Sequence, residues 1–152
     1  MRSYYLYTGT VGWSHLAWHA RLYSEDLPTD WRLSFYNTQF RCVYLPYLIW
    51  QSASDEQVAF WLSETQEDFH FVLGKPDEGT VADLERSARF GERGKLENEV
   101  DIFWLESGTS LRALARIFNQ SVEAGRSLYV VAKNEDLAQL RQAEELMNVM
   151  GL

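Results

Sequence analysis

The sequence predicts one α/β domain in which about five parallel strands alternate with helices. Short segments rich in β-branched and aromatic residues recur along the chain, and between them lie stretches whose apolar residues repeat at helical spacing. Parallel neighbours need a long crossover connection, and a helix is the usual one. Size points the same way: 152 residues with 46% hydrophobic and 14% aromatic content suffice for one sizeable core, and length makes a second unlikely, so residues 1–152 are read as a single domain.

The first strand is expected at Tyr4 to Thr8, ending in Gly9-Thr10-Val11-Gly12. Pro28 and Thr29 introduce a helix around Asp30 to Asn37, and Cys42 to Tyr47 reads as the second strand. Ser54-Asp55-Glu56-Gln57 fits a capping box at the start of a helix with Val58, Trp61 and Leu62 on one face. Phe69 to Leu73 is the third strand. Val81, Leu84 and Ala88 mark a helical face, and Gly91 to Asn98 reads as loop. Asp101 to Leu105 is the fourth strand, and Ser107-Gly108-Thr109-Ser110 then opens a helix with Leu111, Leu114, Ala115, Ile117 and Phe118 on its apolar face. Leu128 to Ala132 is the fifth strand, followed by a helix carrying Leu137, Leu140, Ala143, Leu146 and Met147.

With 22 acidic and 14 basic residues the formal net charge is -8, which argues against nucleic acid as a partner. The closest cationic grouping, Arg86, Arg89, Arg93 and Lys95, is interleaved with Glu85, Glu92 and Glu97 and reads as a solvated helix and loop. No window approaches the roughly 18 apolar residues of a membrane span, and the N-terminus lacks a secretory signal, so a soluble protein away from the membrane is expected. The single cysteine, Cys42, excludes an internal disulfide and fits a reducing, cytoplasmic setting.

Gly9-Thr10-Val11-Gly12-Trp13-Ser14, followed by Trp18, Arg21, Tyr23, Leu27-Pro28, Trp31, Tyr36 and Phe40, resembles the opening of the YecE-like family, also called domain of unknown function 72. Trp61, Thr65, Asp68, Phe69 and Phe71 continue the resemblance, as do Arg126 to Val131 and the closing helix. The resemblance implies a (β/α) fold like a TIM barrel, here shortened to a truncated barrel or open parallel sheet ending about where a sixth strand would begin. The family's polar strand ends are replaced. A Glu-Ile-Asn run expected on the second strand reads Tyr44-Leu45-Pro46, and a lysine expected after the third strand falls at Gly74, with Lys75 one place late. A Glu, an Arg and a His expected after the fifth fall at Ala132, Asn134 and Glu135. Chemistry in such barrels sits at the C-terminal ends of the strands, so the chain is expected to lack family-type catalysis and to act as a binding or interaction module.

The alternative is a small hydrolase acting on a phosphorylated or sugar-like substrate through His15, His19 and Arg21. His15 and His19 are four apart, as metal ligands on a helix would be, but no third ligand is near, and neither a metal nor a cofactor is expected. His70 is expected to face away from Phe69 and Phe71. Gly9 to Gly12 lacks the further residues of a nucleotide-binding loop and reads as a tight turn needing positive φ. Trp13, Trp18, Tyr23, Trp31 and Trp50 form an aromatic-rich set, of which Trp31, with Trp61, is expected in the core. A small-molecule ligand is expected to be lined by Gly12, Trp13, His15, Trp18 and Arg21, which follow the first strand and combine rings with cationic groups. Asp101 and Glu106, five apart on one strand, point to opposite faces and do not form an acid/base pair.

A homodimer is also expected. About five strands cannot close a barrel that needs about eight, so Phe71, Leu73, Phe103 and Leu105, which would have filled its interior, need cover from helices or a second copy. Cys42 opens an apolar strand and should be buried, so a thiol reagent should label it only on unfolding, and rapid labelling of the native protein would contradict this.

Overall fold

The computed structural model describes residues 6–13, 27–76, 78–106, 108–133 and 137–152. Six parallel strands form one sheet: β1 (Leu6–Val11), β2 (Cys42–Leu45), β3 (His70–Leu73), β4 (Gly94–Leu96), β5 (Asp101–Leu105) and β6 (Leu128–Ala132), in the order β4-β3-β2-β1-β6-β5. The helices are α1 (Arg32–Gln39), α2 (Tyr47–Ser52), α3 (Asp55–Ser63), α4 (Val81–Ala88), α5 (Leu111–Ala124) and α6 (Leu137–Val149). The expected parallel α/β sheet is present, with β4 as an additional strand taken from the stretch read as loop. Its three residues are too few to carry a strand pattern, and pairing with Phe71 to Leu73 creates it. The second strand stops at Leu45, because Pro46 has no N–H for the ladder and instead precedes the first turn of α2.

The two edge strands, β4 and β5, are consecutive in the chain and are joined only by residues 97–100. So short a link holds the edges near each other and curls the sheet into a half-barrel. Tyr44 on β2 and Trp104 on β5 are three strands apart, about 14 Å in a flat sheet, yet their ring centroids lie 4.9 Å apart. His70 on β3 likewise reaches Tyr129 on β6, with Nδ1 2.7 Å from the hydroxyl.

Curling gives the sheet two unlike faces. The outer face packs on the helices in the larger core, with Val43, Leu45, Phe71, Leu73, Leu105 and Val130 against Tyr36, Val58, Trp61, Leu114, Phe118 and Leu140. The concave face closes on its own side chains: Tyr7, Cys42, Val72, Tyr129 and Val131 are buried, and Tyr44, Ile102 and Trp104 pack against them. Phe71, Leu73, Phe103 and Leu105 therefore do not face the interior, as expected of them, but lie under the chain's own helices. A one-residue difference in register decides this, since alternate residues of a strand face opposite sides. Cys42 is fully buried, and burial pushes its thiol pKa upward.

Trp31 also departs from expectation. It is 61% exposed, because it ends the 3-10 turn of residues 29–31 rather than joining the buried face of α1. Trp61 is buried as expected. Ser54 caps α3 by accepting from the Gln57 N–H, while the complete reciprocal capping box lies at Thr80 and Asp83 on α4. The arginines read as solvated are engaged: Arg86 donates to the Gln51 carbonyl and Arg89 to those of Trp50 and Ala53, at the end of α2. Arg93 donates to the Leu62 and Phe69 carbonyls and to the Thr65 hydroxyl. Cations on orphan carbonyls at helix C-termini are favourable electrostatically as well as by hydrogen bonding.

Tyr36 ties the helix layer to the centre of the sheet. Its fully buried hydroxyl accepts from the Thr10 N–H at 2.8 Å and donates to the Cys42 carbonyl at 2.9 Å, bridging β1 and β2. Removing that oxygen leaves two buried backbone groups without this partner. Tyr36→Phe should lower stability by about 1–3 kcal/mol, read as a reduced urea midpoint at unchanged slope, and an unchanged midpoint would discount the bridge.

Candidate ligand-binding site

In a parallel α/β sheet the C-terminal ends of the strands are the first place to look for function. Gly9, Thr10 and Val11 continue β1 in ladder pairing with β2 instead of forming the expected tight turn, and only Gly12, just past the strand, has positive φ, 71°, its N–H donating to the Tyr44 carbonyl at 3.0 Å. Trp13 follows and meets the edge of Trp61 at a centroid distance of 5.4 Å, against the helix-side core. Of the five expected lining residues these two are neighbours. His15, Trp18 and Arg21 lie outside the described residues, as do His19 and Tyr23.

The altered strand ends explain one another. Tyr44 lies on the concave face and donates to Glu97 Oε1 at 2.9 Å; burial and then the Glu97 carboxylate push its pKa upward, so it stays a phenol. A Cβ at position 74 would lie 2.8 Å from the Tyr44 hydroxyl and 3.1 Å from the Leu45 carbonyl. The Tyr47 backbone nitrogen crowds the same position at 3.0 Å, so any side chain at 74 requires both the Tyr44 hydroxyl and the local backbone to shift. The lysine that the family resemblance places there would need that shift, and Lys75, one place on, gives its backbone N–H to Glu97 Oε1 at 2.9 Å. Gly74 further accepts from the Trp50 indole at 3.0 Å, which explains why this tryptophan is buried. Ala132, where a polar group was also expected, is buried in the helix-side core, and Asn134 and Glu135 lie outside the described residues.

A cleft of about 420 Å³ opens beside these strand ends, between the β3–α4 connection and the turn after β4. Trp50, Leu84 and Leu96 give it apolar walls, and Lys75, Asn98 and Glu99 bring polar groups to it. Among the described residues the Lys75 ammonium, the Asn98 amide and the Glu99 carboxylate make no hydrogen bond or ion pair. The apolar face of α4 borders the cleft instead of entering the core: Val81 is 72% and Leu84 64% exposed. Sequence reasoning read Val81, Leu84 and Ala88 only as a helical face and missed the cleft. The amphipathic pattern at Val81 and Leu84 was its one visible sign. Asp83, nearby, is committed to structure, accepting from the Tyr47 hydroxyl at 2.8 Å and the Thr80 N–H at 3.1 Å, and the Tyr47 bond chiefly holds its pKa low.

Asp101 and Glu106 are each held separately, by Arg126 and by Lys133, and are not an acid/base pair. Among the described residues no cluster of three or more His, Cys, Asp or Glu side chains is placed to hold a metal, and no helix is long and apolar enough to cross a membrane.

Six parallel strands, a ring-filled concave face and a cleft at the strand ends define a curled α/β half-barrel with a ligand-sized opening. The chain belongs to the DUF72 family: the model of that protein family of unknown function matches residues 7–97, which run from β1 through β4. The family resemblance seen in the sequence agrees with this match. Two crystal structures of DUF72 family proteins share the fold. One, from Thermotoga maritima MSB8, has a TM-score of 0.57 at 14% identity, covering 98% of this chain and 100% of that one. The other, from Enterococcus faecalis V583, has a TM-score of 0.58 at 10% identity, covering 98% of each chain. Comparison with curated protein sequences finds no match.

His70 supplies a test of the curl. Burial first, then Lys95, Arg41 and Arg93, push its pKa down from 6.5 to about 4, with Asp68 opposing. Below pH 6.5 the unfolded chain takes up a proton that folded His70 refuses until about pH 4, so stability present above 6.5 is lost as pH falls through this window. The urea midpoint of the wild type should therefore fall more steeply from pH 6.5 to 4 than that of His70→Gln, and parallel curves would remove His70 as the cause.

Proposed function

We propose that the chain is a small-molecule binding module without family-type catalysis, and that its ligand seats in the cleft beside β3 and β4. The carrying observation is the pairing of Tyr44 with Gly74, which crowds the strand end where a lysine is expected while leaving the adjacent cleft open. A cleft of this size, apolar with a few convergent polar groups, suits a small organic ligand. Its walls favour an apolar body, and Lys75, Asn98 and Glu99 favour a polar head carrying both donor and acceptor.

Homodimerisation belongs to the same proposal, on a different support from the one the sequence offered. Leu48 and Ile49, neighbours on α2 and outside the cleft lining, expose their side chains. Light scattering that reports a monomer throughout the micromolar to millimolar range would remove it.

The binding reading is tested by a thermal-shift screen against metals, phosphates, sugars and small carboxylates. A ligand at about 100 times its Kd stabilises by about 2.7 kcal/mol, which raises Tm by about 5–10 °C in a domain of this size. That shift should vanish in Leu84→Asp, whose exposed position spares the core. Turnover of a phosphate ester or glycoside that His15→Ala, His19→Ala or Arg21→Ala abolishes would favour the hydrolase and overturn this reading.

A further inference from the structure

The opposite, N-terminal mouth of the half-barrel carries a second group of side chains that shares only Glu99 with the cleft. A cavity of about 300 Å³ lies there, lined by Tyr7, His70, Lys95, Asp101, Arg126 and Tyr129 among others. It sits where the edges β4 and β5 approach without pairing, so backbone does not fill it. Tyr7 provides an apolar wall, stacked on His70 at 4.6 Å and on Tyr129 at 4.8 Å between centroids.

The charges there are unequal in availability. Arg126 holds Asp101 through two bonds, Nη2 to Oδ1 at 3.0 Å and Nε to Oδ2 at 2.9 Å, so this pair is internally neutral. Arg41, next to Tyr7, is paired with Asp68 at 2.9 Å. Arg93 is bound to the carbonyls behind Phe71. Lys95 differs. It is in register with Val72, which places its side chain on the concave side, and among the described residues its ammonium has no ion pair or hydrogen bond. Glu99 also lines the cavity but makes no contact with Lys95 within ion-pair distance. Among the described residues His70 Nε2 likewise has no hydrogen bond, while Nδ1 meets the Tyr129 hydroxyl.

We propose that this mouth is a binding site for a small oxyanion, with Lys95 as its principal charge partner. An oxyanion accepts from the Lys95 ammonium and, when Tyr129 donates to Nδ1, from the Nε2–H of His70. A neutral imidazole with Lys95, Arg41 and Arg93 around it and Asp68 as the opposing charge gains from an anion beside it. The carboxylates of Asp101 and Glu99 restrict the site to a ligand small enough to stay on the Lys95 side.

The shared chemistry of carboxylate and phosphate is tested with both. Acetate and inorganic phosphate are titrated separately into the full chain at constant ionic strength, which removes general screening, and amide NMR shifts are followed with calorimetry. Saturable binding of either anion, with the largest shifts at Lys95, Val100 and Ser127, is expected. Lys95→Gln should weaken it about tenfold or more, as for loss of one charged hydrogen bond, while Lys95→Arg retains it and Lys75→Gln leaves it unchanged. Thermal unfolding of Lys95→Gln, a partly exposed position, verifies that the variant folds. No saturation with either anion, equal affinity in Lys95→Gln, or shifts centred on Lys75 and Asn98 would each overturn the proposal.

Discussion

The connection from Glu97 to Val100 sets the shape of this molecule, because it joins strands at opposite edges of a six-stranded sheet. A chain of four residues spans at most about 14 Å, less than the width of a flat sheet of this size. The sheet must therefore curl, and curling brings side chains from strands three apart into contact. Rings suit the resulting interior, since Tyr7, Tyr44, Trp104 and Tyr129 fill volume that smaller residues would leave empty, and their polar ends find partners such as Glu97 and His70. The concave face thus becomes a second core rather than a channel.

A filled interior moves any ligand to the margins. Above it, the Tyr44 hydroxyl occupies the space a side chain at position 74 would need, and its bond to Glu97 places the turn that walls the neighbouring cleft. Below it, the edges β4 and β5 approach without pairing, and a cavity remains between side chains of both. Glu99, in the connecting turn, lines both openings, so the segment that forces the curl also borders each place where a small molecule fits.

The cations show how an acidic chain uses its few positive groups. Arg86, Arg89 and Arg93 run into the fold and donate to carbonyls at the ends of helices and strands, where a planar guanidinium can satisfy several acceptors at once. Their interleaving with glutamates in sequence resembles a solvated surface, and only the packing of α2 and α3 against the segment from Arg86 to Arg93 reveals the acceptors. Lys75 and Lys95, with flexible stems and single ammonium groups, are left beside the two openings.

Much of the fold was legible in sequence because periodicity is local. The strands near 42–45, 70–73, 101–105 and 128–132, the helices other than α2, the burial of Cys42 and Trp61 and the turn of His70 to the face opposite its phenylalanine neighbours all follow from alternation, helical spacing and capping residues. The altered strand ends, too, were visible as Tyr44, Leu45 and Gly74. Sequence could not reveal which face of each strand is concave, because that depends on a curl imposed by a link between distant edges, and Phe71 and Leu73 were accordingly assigned to the wrong side. Nor could it show that β4 exists, that Trp31 is exposed or that Val81 and Leu84 border a cleft, since each depends on what packs alongside. Local pattern determines which residues are strand or helix and which alternate. Three-dimensional closure alone determines what each face meets, because the energy of burial belongs to pairs of surfaces and not to either one.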